Sequence, residues 1–368
     1  MVGTYPPTAC GLATFTSNLR AAIEVPGSGW QADVVRIVDR PQTLGGEVVG
    51  QWVAGDLVSL ARSLQTMASY DAVLLQHEYG LFGGADGEQV LALVYGLDVP
   101  LLAVVHTVLL GPSPNQRKIL DHIMEVAATV VVQSKAARSR LVAVHGVDPS
   151  RVVVVPHGAA ANFYPLQRSP GGRPVVLSWG LLGPGKGIEH GIGAIAALHE
   201  RGLDATYVVA GQTHPKVRAT MGERYRSQLV ELARELGVAD RVQFDGTYRD
   251  WESLRALVRS ADAVLLPYDS TDQVSSGVLV EALASAKPVV ATRFPHAEEL
   301  LERGAGVTVP HRDVGAMADA LARILFEPGV ADGMAAIAQR EAGAFLWPAV
   351  GATYRSLIYE VLRARLAG

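Results

Sequence analysis

Two stretches in the second half of the chain, each with glycine at a predicted helix start, combine a charged side chain with backbone that could bind an anion. The first, residues 178–187, holds Lys186 just before a predicted helix. A lysine beside several backbone N–H groups is the arrangement that a diphosphate requires. The stretch is not a P-loop, because Gly187 stands where that motif has a serine or threonine. The pattern therefore predicts a diphosphate site of another kind; the plainer alternative is a solvated lysine on a loop.

The second stretch, residues 267–292, predicts a loop, a helix and a buried strand. Ser275 or Ser276 can cap the helix, because a serine oxygen accepts a free N–H at a helix start. Gly277 would let a phosphate approach the backbone at the positive end of the helix dipole. Glu281 follows about one turn later on a mostly apolar helix, where a carboxylate needs a partner such as ribose or sugar hydroxyls. The alternative is an ordinary helix crossover with a surface glutamate.

Three further candidates follow strands predicted in the first half of the chain. Glu78 comes after the apolar run 72–76, and His106 ends the run 100–105. A histidine at such a position is more often a structural residue than a catalyst. Gly11 lies in the first loop, either as a turn glycine or as a place where a ligand approaches the backbone.

The sequence offers no convincing motif for a metal site or a hydrolase. His77 and Glu78 lack the second histidine that a zincin needs at helical spacing. Asp269 and Asp272 lie in a loop without a clear third ligand, and we interpret them as turn formers. The G-x-S-x-G pattern of α/β-hydrolases does not occur. We therefore expect neither a metal nor a bound cofactor.

Composition bounds the class of protein. The chain has 368 residues, of which 49% are hydrophobic and 18% charged, so it can bury the cores of two domains. A net charge of −4 gives no electrostatic case for nucleic acid, and Cys10 is the only cysteine, which fits a reducing compartment. Neither a signal peptide nor a membrane-spanning run is evident, so we predict a cytoplasmic protein and leave peripheral membrane contact open. The opening residues 1–4 look like the end of a strand whose beginning is missing.

Apolar strand candidates alternate with helical stretches along the whole chain. This alternation, with strands that are nearly all apolar, predicts parallel sheets buried on both faces. A linker rich in glycine and proline at 166–174 separates two doubly wound α/β domains, at 1–167 and 173–347. Strands are predicted at 33–38, 72–76, 100–105, 129–133 and 151–155, and after the linker at 175–179, 206–210, 241–244, 263–266, 288–292 and 306–309.

The candidate residues share a position relative to these strands. Ligands of open parallel sheets bind beyond the carboxyl ends of the strands. Lys186, Glu78 and His106 follow such ends, and so does Gly211 after the strand 206–210. Two such domains facing a central cleft would bring the candidates of both halves to one ligand.

Taken together, these motifs resemble the retaining glycosyltransferases of family 4, which have the GT-B fold, over nearly the whole chain. Any one of the motifs alone would be weak, but together they are specific. The resemblance rests on Gly11, His106-Thr107, Pro156-His157-Gly158, the loop 180–187, Ala210-Gly211, and the runs 275–282 and 286–292.

The resemblance implies a nucleotide sugar as donor, held mainly by the second domain. Lys186 matches the lysine that binds the diphosphate, and Glu281 matches the glutamate that binds the ribose. Gln273 stands where the family has a second glutamate that contacts the donor sugar, and Leu181 stands where an arginine usually accompanies the lysine. An amide still hydrogen-bonds sugar hydroxyls but carries no charge. The implied donor-binding set is Gly11, Lys186, Gly211, Gln273, Ser275, Ser276, Gly277, Val278 and Glu281.

The resemblance also implies the reaction: transfer of a hexose, mannose or glucose, from a GDP- or UDP-linked donor to an acceptor hydroxyl, on the front face and with retention. His106, Lys186 and Gln273 would be catalytic, and Glu78 with His106 would contact an acceptor of unknown identity. The last helix, 348–368, would pack on the first domain. The alternatives are a nucleotide-sugar-binding protein that has lost transfer, suggested by Gln273 and Leu181, and a GT-B epimerase or phosphorylase.

Overall fold

The computed structural model describes residues 1–8, 10–163, 172–247 and 249–367, so most of the predicted linker 166–174 lies outside the described residues. The chain divides into two compact units: Met1–Gly158 together with Ala344–Gly368, and Ala159–Gly343. The first change of unit comes earlier than residue 167. Asn162 is already tied to the second unit, because its N–H donates to the Ala284 carbonyl at 2.9 Å and its side-chain amide donates to the Arg255 carbonyl at 3.1 Å.

Strands and helices alternate in both units, as the apolar pattern predicts. The strands, β1 to β13 in chain order, are Val2–Gly3, Val34–Val38, Val48–Val53, Val73–His77, Leu101–Val105, Thr129–Val132, Val152–Val154, Val175–Trp179, Thr206–Ala210, Val242–Asp245, Ala263–Leu266, Val289–Thr292 and Gly306–Val309. The α-helices, α1 to α14, are Gly11–Ile23, Leu57–Met67, Val90–Gly96, Pro114–Val126, Lys135–His145, Ile188–Glu200, Pro215–Met221, Arg224–Glu235, Trp251–Ser260, Gly277–Ala284, Pro295–Leu301, Val314–Phe326, Val330–Glu341 and Trp347–Ala367.

Each unit is built on one parallel sheet. The first sheet has the order β3-β2-β1-β4-β5-β6-β7 and the second has the order β10-β9-β8-β11-β12-β13. Every strand pair described in the two sheets is parallel. Both orders are doubly wound, so the direction of winding reverses between β1 and β4 in one sheet and between β8 and β11 in the other. Ligands of such sheets bind at this switch point, outside the carboxyl ends of the strands.

The sequence of the strands explains why the sheets are parallel and covered. All five residues of β5 are buried, and so are all four of β11. A strand that is apolar on both faces needs helices on both sides, which the crossover connections of a parallel sheet provide. Strand β3 was not predicted; it lies at the edge of its sheet, alternates buried with more exposed residues, and contains Gly50 and Gln51.

The last helix belongs to the first unit and packs on α1. A side chain at Gly351 would place its Cβ 2.2 Å from the Ala22 carbonyl oxygen, so only glycine permits this approach. Arg355 donates from Nη1 to the same carbonyl at 2.7 Å. Among the described residues, no helix combines the length and the apolar character that crossing a membrane would require.

Candidate functional site

The switch point of the second sheet organises the predicted donor site. Strands β8 and β11 are hydrogen-bonded neighbours. The first leads into the loop that carries Lys186, and the second leads into the loop 267–276 before α10. Two loops that leave adjacent parallel strands at their carboxyl ends lie side by side. The fold therefore brings together the two stretches in which the sequence analysis places the candidate anion-binding residues.

Two glycines let the loop after β8 approach the loops after β11 and β9 at backbone distance. Gly187 has φ +63°, and a Cβ there would lie 1.8 Å from the Pro267 carbonyl oxygen. Gly211 has φ +139°, and its Cβ would lie 1.9 Å from the Gly180 carbonyl oxygen. Both the left-handed backbone and the missing space exclude other residues. Gly211, predicted as a donor contact, thus has a structural role in any case.

Lys186 is held over an aromatic ring. Its Nζ lies 4.3 Å from the centroid of the Tyr268 ring. That ring is buried and stacks on Phe294, with 5.3 Å between the ring centroids and 25° between the planes. A cation over an aromatic face is attracted to it and loses conformational freedom. The ammonium group is therefore oriented at the end of the sheet before any ligand arrives.

A network of ion pairs fixes the same loop. The Asp269 N–H donates to the Gly185 carbonyl at 3.0 Å. The Asp269 carboxylate lies 3.2 Å from Nε2 of His190, on α6, and accepts from Nε of Arg312 at 2.9 Å. Asp269, interpreted from the sequence as a turn former, thus joins the loop after β8 to the segment after β13.

The same network brings together three groups that could ligate a metal. The ligand atoms of Glu189, His190 and Asp269 lie within 4.8 Å of one another. Each carboxylate already has a protein partner, because Glu189 accepts from the Tyr225 hydroxyl at 2.8 Å and Asp269 accepts from Arg312. The arrangement is explained by ion pairing and hydrogen bonding within the protein.

The start of α10 differs in one respect from the prediction. Ser276 is the N-cap, as expected, and its Oγ accepts from the Leu279 N–H at 3.3 Å. Its own N–H donates to Nδ1 of His296 at 2.8 Å, so this amide is not available to a phosphate. Within the described part of the chain, the N–H groups of Gly277 and Val278 have no protein acceptor. These two amides therefore take the place that the sequence suggested for Ser276 and Gly277.

The other predicted residues of this loop are held by local hydrogen bonds. Gln273 donates from Nε2 to the Ser275 carbonyl at 2.9 Å, and its own carbonyl accepts from the His296 N–H at 3.4 Å. The amide side chain of Gln273 is therefore bonded to the backbone of its own loop. Whether Gln273 and Ser275 contact a donor sugar stays a prediction.

Glu281 lies on α10 with its carboxylate against the end of β8. It is half-buried, and the side chain of Trp179, the last residue of β8, lies beside it. Burial raises the pKa of the Glu281 carboxyl to about 7, and the neighbouring Trp179 side chain acts in the opposite direction. A carboxyl group in this state lacks enough hydrogen-bond donors, which a pair of ribose hydroxyls would supply.

In the first unit, His106 is a neutral histidine with both ring nitrogens engaged. Nε2 lies 2.8 Å from Oε1 of Gln76 and Nδ1 lies 3.0 Å from Nε2 of Gln133. The proton is therefore on Nε2, and Nδ1 accepts from the Gln133 amide. Burial, with smaller contributions from His157 and His77, lowers the pKa of His106 to about 3. A group with so low a pKa is a poor general base at neutral pH.

The remaining predicted residues of the first unit also follow strand ends. Glu78 accepts from the Thr107 hydroxyl at 2.6 Å and from the Tyr79 N–H at 2.9 Å, which fixes its carboxylate beside the ends of β4 and β5. Gly11 is the first residue of α1, and a Cβ there would meet nothing within 4 Å. The fold itself does not require this glycine, which leaves open space above the helix start.

Sequence profiles of known families match both halves of the chain. The profile described as Glycosyl transferases group 1 matches residues 173–327, and that of Glycosyltransferase Family 4 matches residues 16–162. The chain belongs to the glycosyltransferases of family 4. Its fold is the two-domain α/β fold named GT-B, which the solved structures described below share.

Individual relatives agree with this family. A D-inositol 3-phosphate glycosyltransferase of Actinosynnema mirum is 32% identical in an alignment of 272 residues that covers 68% of this chain and 64% of that protein. The chain thus spans less than two thirds of that relative's length. The alpha-D-kanosaminyltransferase of Streptomyces kanamyceticus is 26% identical over 78% of this chain and 77% of its own.

Solved structures are similar over almost the full chain. HepE of Anabaena, in complex with UDP and glucose, superposes with a TM-score of 0.77 at 18% identity and covers 98% of both chains. Sucrose-phosphate synthase of Thermosynechococcus elongatus gives a TM-score of 0.78 at 20% identity, with 99% of this chain and 98% of its own covered. At these identities the likeness establishes the fold.

Several residues that shape the candidate site were not predicted. Tyr268 and Phe294 support Lys186, Trp179 contacts Glu281, and His296 holds Ser276. All of these contacts join segments far apart in the sequence. Of these residues, only Tyr268 has a sequence feature that could have indicated a place in the site: it directly follows the strand β11 and the Pro267 turn.

Proposed function

We propose that this glycosyltransferase moves a hexose from a nucleoside diphosphate sugar to an acceptor hydroxyl with retention of anomeric configuration. The observation that carries the proposal is the pairing at the β8/β11 switch point. An oriented ammonium group, Lys186, follows one of two adjacent strands, and two amides without an acceptor among the described residues, those of Gly277 and Val278, follow the other. Glu281 lies on the same helix as the amides. This set suits a diphosphate linked to a ribose.

The charges of the site favour departure of a diphosphate. As the bond from the sugar to the phosphate breaks, negative charge grows on the leaving oxygens. Lys186 and the amides at the start of α10 would stabilise that charge, which is electrostatic preorganisation. The acceptor hydroxyl would pass its proton to the departing phosphate on the same face, so the reaction needs no strong protein base.

The state of His106 supports this front-face route. Both of its ring nitrogens are hydrogen-bonded to glutamines, and its pKa is lowered to about 3. It would orient or shape the reacting sugar rather than take a proton. Glu78, with its carboxylate anchored beside Thr107, would contact the acceptor.

The choice of donor draws on relatives. HepE was solved with UDP and glucose, and UDP or GDP linked to glucose or mannose are the donors that we propose. We propose further that transfer needs no metal, because Lys186 and the amides supply the positive charge. Gln273, in the position of a charged residue, would contact the sugar through its amide.

The second candidate is a nucleotide-sugar-binding protein without transfer. It is favoured by Gln273 and Leu181, which replace two charged groups of the family pattern. Such a protein would bind the donor and release no nucleoside diphosphate with any acceptor. A GT-B epimerase or phosphorylase would instead convert the donor to its epimer, or form a sugar phosphate from free phosphate.

The test is product analysis. The protein is incubated with UDP- or GDP-linked glucose or mannose and a panel of acceptors that includes inositol phosphates and aminosugars, and release of nucleoside diphosphate is followed. The anomeric configuration of the product is read by NMR from the one-bond coupling constant between C1 and H1, which distinguishes the two anomers of both glucose and mannose. Retention is the expected result; an inverted product would overturn the mechanism, and tight donor binding without product would establish the second candidate.

A further inference from the structure

The segment from the end of β12 to the first turn of α11, residues 292–296, contacts both halves of the proposed donor site. On one side, the Thr292 hydroxyl donates to the Tyr268 carbonyl at 2.7 Å, and the Phe294 ring stacks on the Tyr268 ring under Lys186. On the other side, His296 contacts the loop before α10 twice. Its N–H donates to the Gln273 carbonyl at 3.4 Å, and its Nδ1 accepts from the Ser276 N–H at 2.8 Å.

We propose that His296 is a positioning residue for donor binding: its imidazole fixes the first turn of α10 so that the amides of Gly277 and Val278 face the diphosphate. This inference rests on the proposed function, since it assumes that the start of α10 binds the donor. Nothing in the sequence pattern points to His296, which lies beyond the following strand.

The hydrogen bond from Ser276 to His296 is well placed to set the geometry of the helix start. His296 and Ser276 are 2% and 4% exposed, so water cannot replace the acceptor if the imidazole is removed. A buried N–H without an acceptor is costly, and the loop would turn to find another partner. Ser276 is the N-cap, so any rotation of its peptide is passed directly to the Gly277 N–H that follows.

The same bond decides which amides remain for a ligand. Four N–H groups at the start of a helix lack intrahelical partners. The Leu279 N–H is taken by Ser276 Oγ, and the Ser276 N–H is taken by His296. Among the residues that the structure describes, no acceptor is found for the two amides between them, Gly277 and Val278, which form an adjacent pair. Without His296, the Ser276 amide would compete for the same anion and the pair would lose its fixed orientation.

The test compares the affinity of UDP and GDP for variants of the full chain by calorimetry. His296→Asn keeps an acceptor near the position of Nδ1, whereas His296→Gln moves the acceptor further out and His296→Ala removes it. We expect His296→Ala and His296→Gln to weaken nucleotide binding about tenfold, the scale of one lost hydrogen bond, and His296→Asn to stay within about threefold of wild type. Leu321→Ala, a core truncation on α12 of the same unit, controls for loss of stability.

The outcomes separate the two claims. If wild type binds neither UDP nor GDP, the proposed function fails and this inference fails with it. If wild type binds and the folded His296 variants bind equally well, His296 has only a structural role and the inference alone is overturned. Equal weakening in Leu321→Ala would also overturn it, since the effect would then follow stability. If His296→Ala does not fold, the contrast between His296→Asn and His296→Gln decides.

Discussion

Glu281 shows how burial at the proposed site changes the chemistry of one side chain. Burial of this carboxyl on an apolar helix raises its pKa to about 7, and the neighbouring Trp179 side chain acts in the opposite direction. The folded protein therefore holds this proton more tightly than the unfolded chain does. The ionised form is less favourable in the folded state, until a donor such as a ribose hydroxyl pairs with it.

The first prediction concerns this pKa. The stability that the protonated Glu281 contributes is present below its ordinary pKa of about 4.5 and is lost as the pH rises to about 7. The loss amounts to at most about 1.4 kcal/mol per pH unit. Glu281→Gln should remove this slope, so the variant gains stability relative to wild type between pH 5 and pH 8. Urea unfolding across this range measures it; parallel curves for the two proteins would contradict the raised pKa.

Lys186 carries the second prediction. Lys186→Ala should lower the rate of transfer by about 2.7–4 kcal/mol of barrier, which is 10²–10³-fold, because one group that stabilises the leaving charge is lost. Lys216→Ala, at an exposed lysine of α7, serves as the matched control and should leave the rate unchanged. Initial rates of nucleoside diphosphate release measure both, and full activity of Lys186→Ala would exclude its role.

At the scale of elements, the glycines of the loops after β8 and β9 are explained by close contact between backbones. Gly187 packs against the Pro267 carbonyl and Gly211 against the Gly180 carbonyl, so closely that neither position has room for a Cβ atom. At these two points the loops that leave adjacent strands are therefore in direct backbone contact.

The third prediction follows from that contact. Gly187→Ala should cost clearly more free energy of unfolding than Gly237→Ala, because both glycines have positive φ but only Gly187 would place a Cβ in contact with a carbonyl oxygen. The control should cost about 1 kcal/mol, the ordinary penalty for the left-handed backbone. Urea denaturation of both variants measures the difference. Equal costs would mean that the loop moves freely away from Pro267.

Most of the fold could be predicted from the apolar runs, because the strands of a parallel sheet that is buried on both faces are continuous apolar segments. Strands β8, β9, β11 and β13 have the bounds that the sequence predicted. The edge strand β3 has one exposed face and contains Gly50, so it gives no such run. The return of the last helix to the first unit came from the resemblance to family 4, since no local pattern encodes which unit a terminal helix covers.

The site could be predicted only in part. Lys186, Ser276 and Glu281 lie in local motifs with a physical meaning, a cation after glycines, a helix cap and a buried acid, and the sequence singled them out. The contacts that orient them join distant segments: Tyr268 with Lys186, Trp179 with Glu281, and His296 with Ser276. For His106, position at a strand end suggested either role, and the two glutamines that occupy its ring nitrogens become visible only in the folded chain.

The fourth prediction concerns the whole molecule. Transfer should continue at an unchanged rate in excess chelator, because Lys186 and the helix amides supply the charge and the carboxylates of Glu189 and Asp269 are already paired with Tyr225 and Arg312. Rates with and without chelator measure this. Activity that is lost in chelator and restored by magnesium or manganese would point instead to the cluster of Glu189, His190 and Asp269.

The measurement that tests the central claim most directly is a calorimetric titration of UDP, GDP and ADP into wild type, Lys186→Ala and Glu281→Ala. The account predicts that wild type binds one of these nucleotides preferentially, that loss of Lys186 weakens its diphosphate contact, and that loss of Glu281 weakens its ribose contact. A ligand at 100 times its dissociation constant should also add about 2.7 kcal/mol of stability, which thermal unfolding would show independently. If no nucleotide binds wild type, or if both variants bind as wild type does, the donor site is not at the β8/β11 switch point.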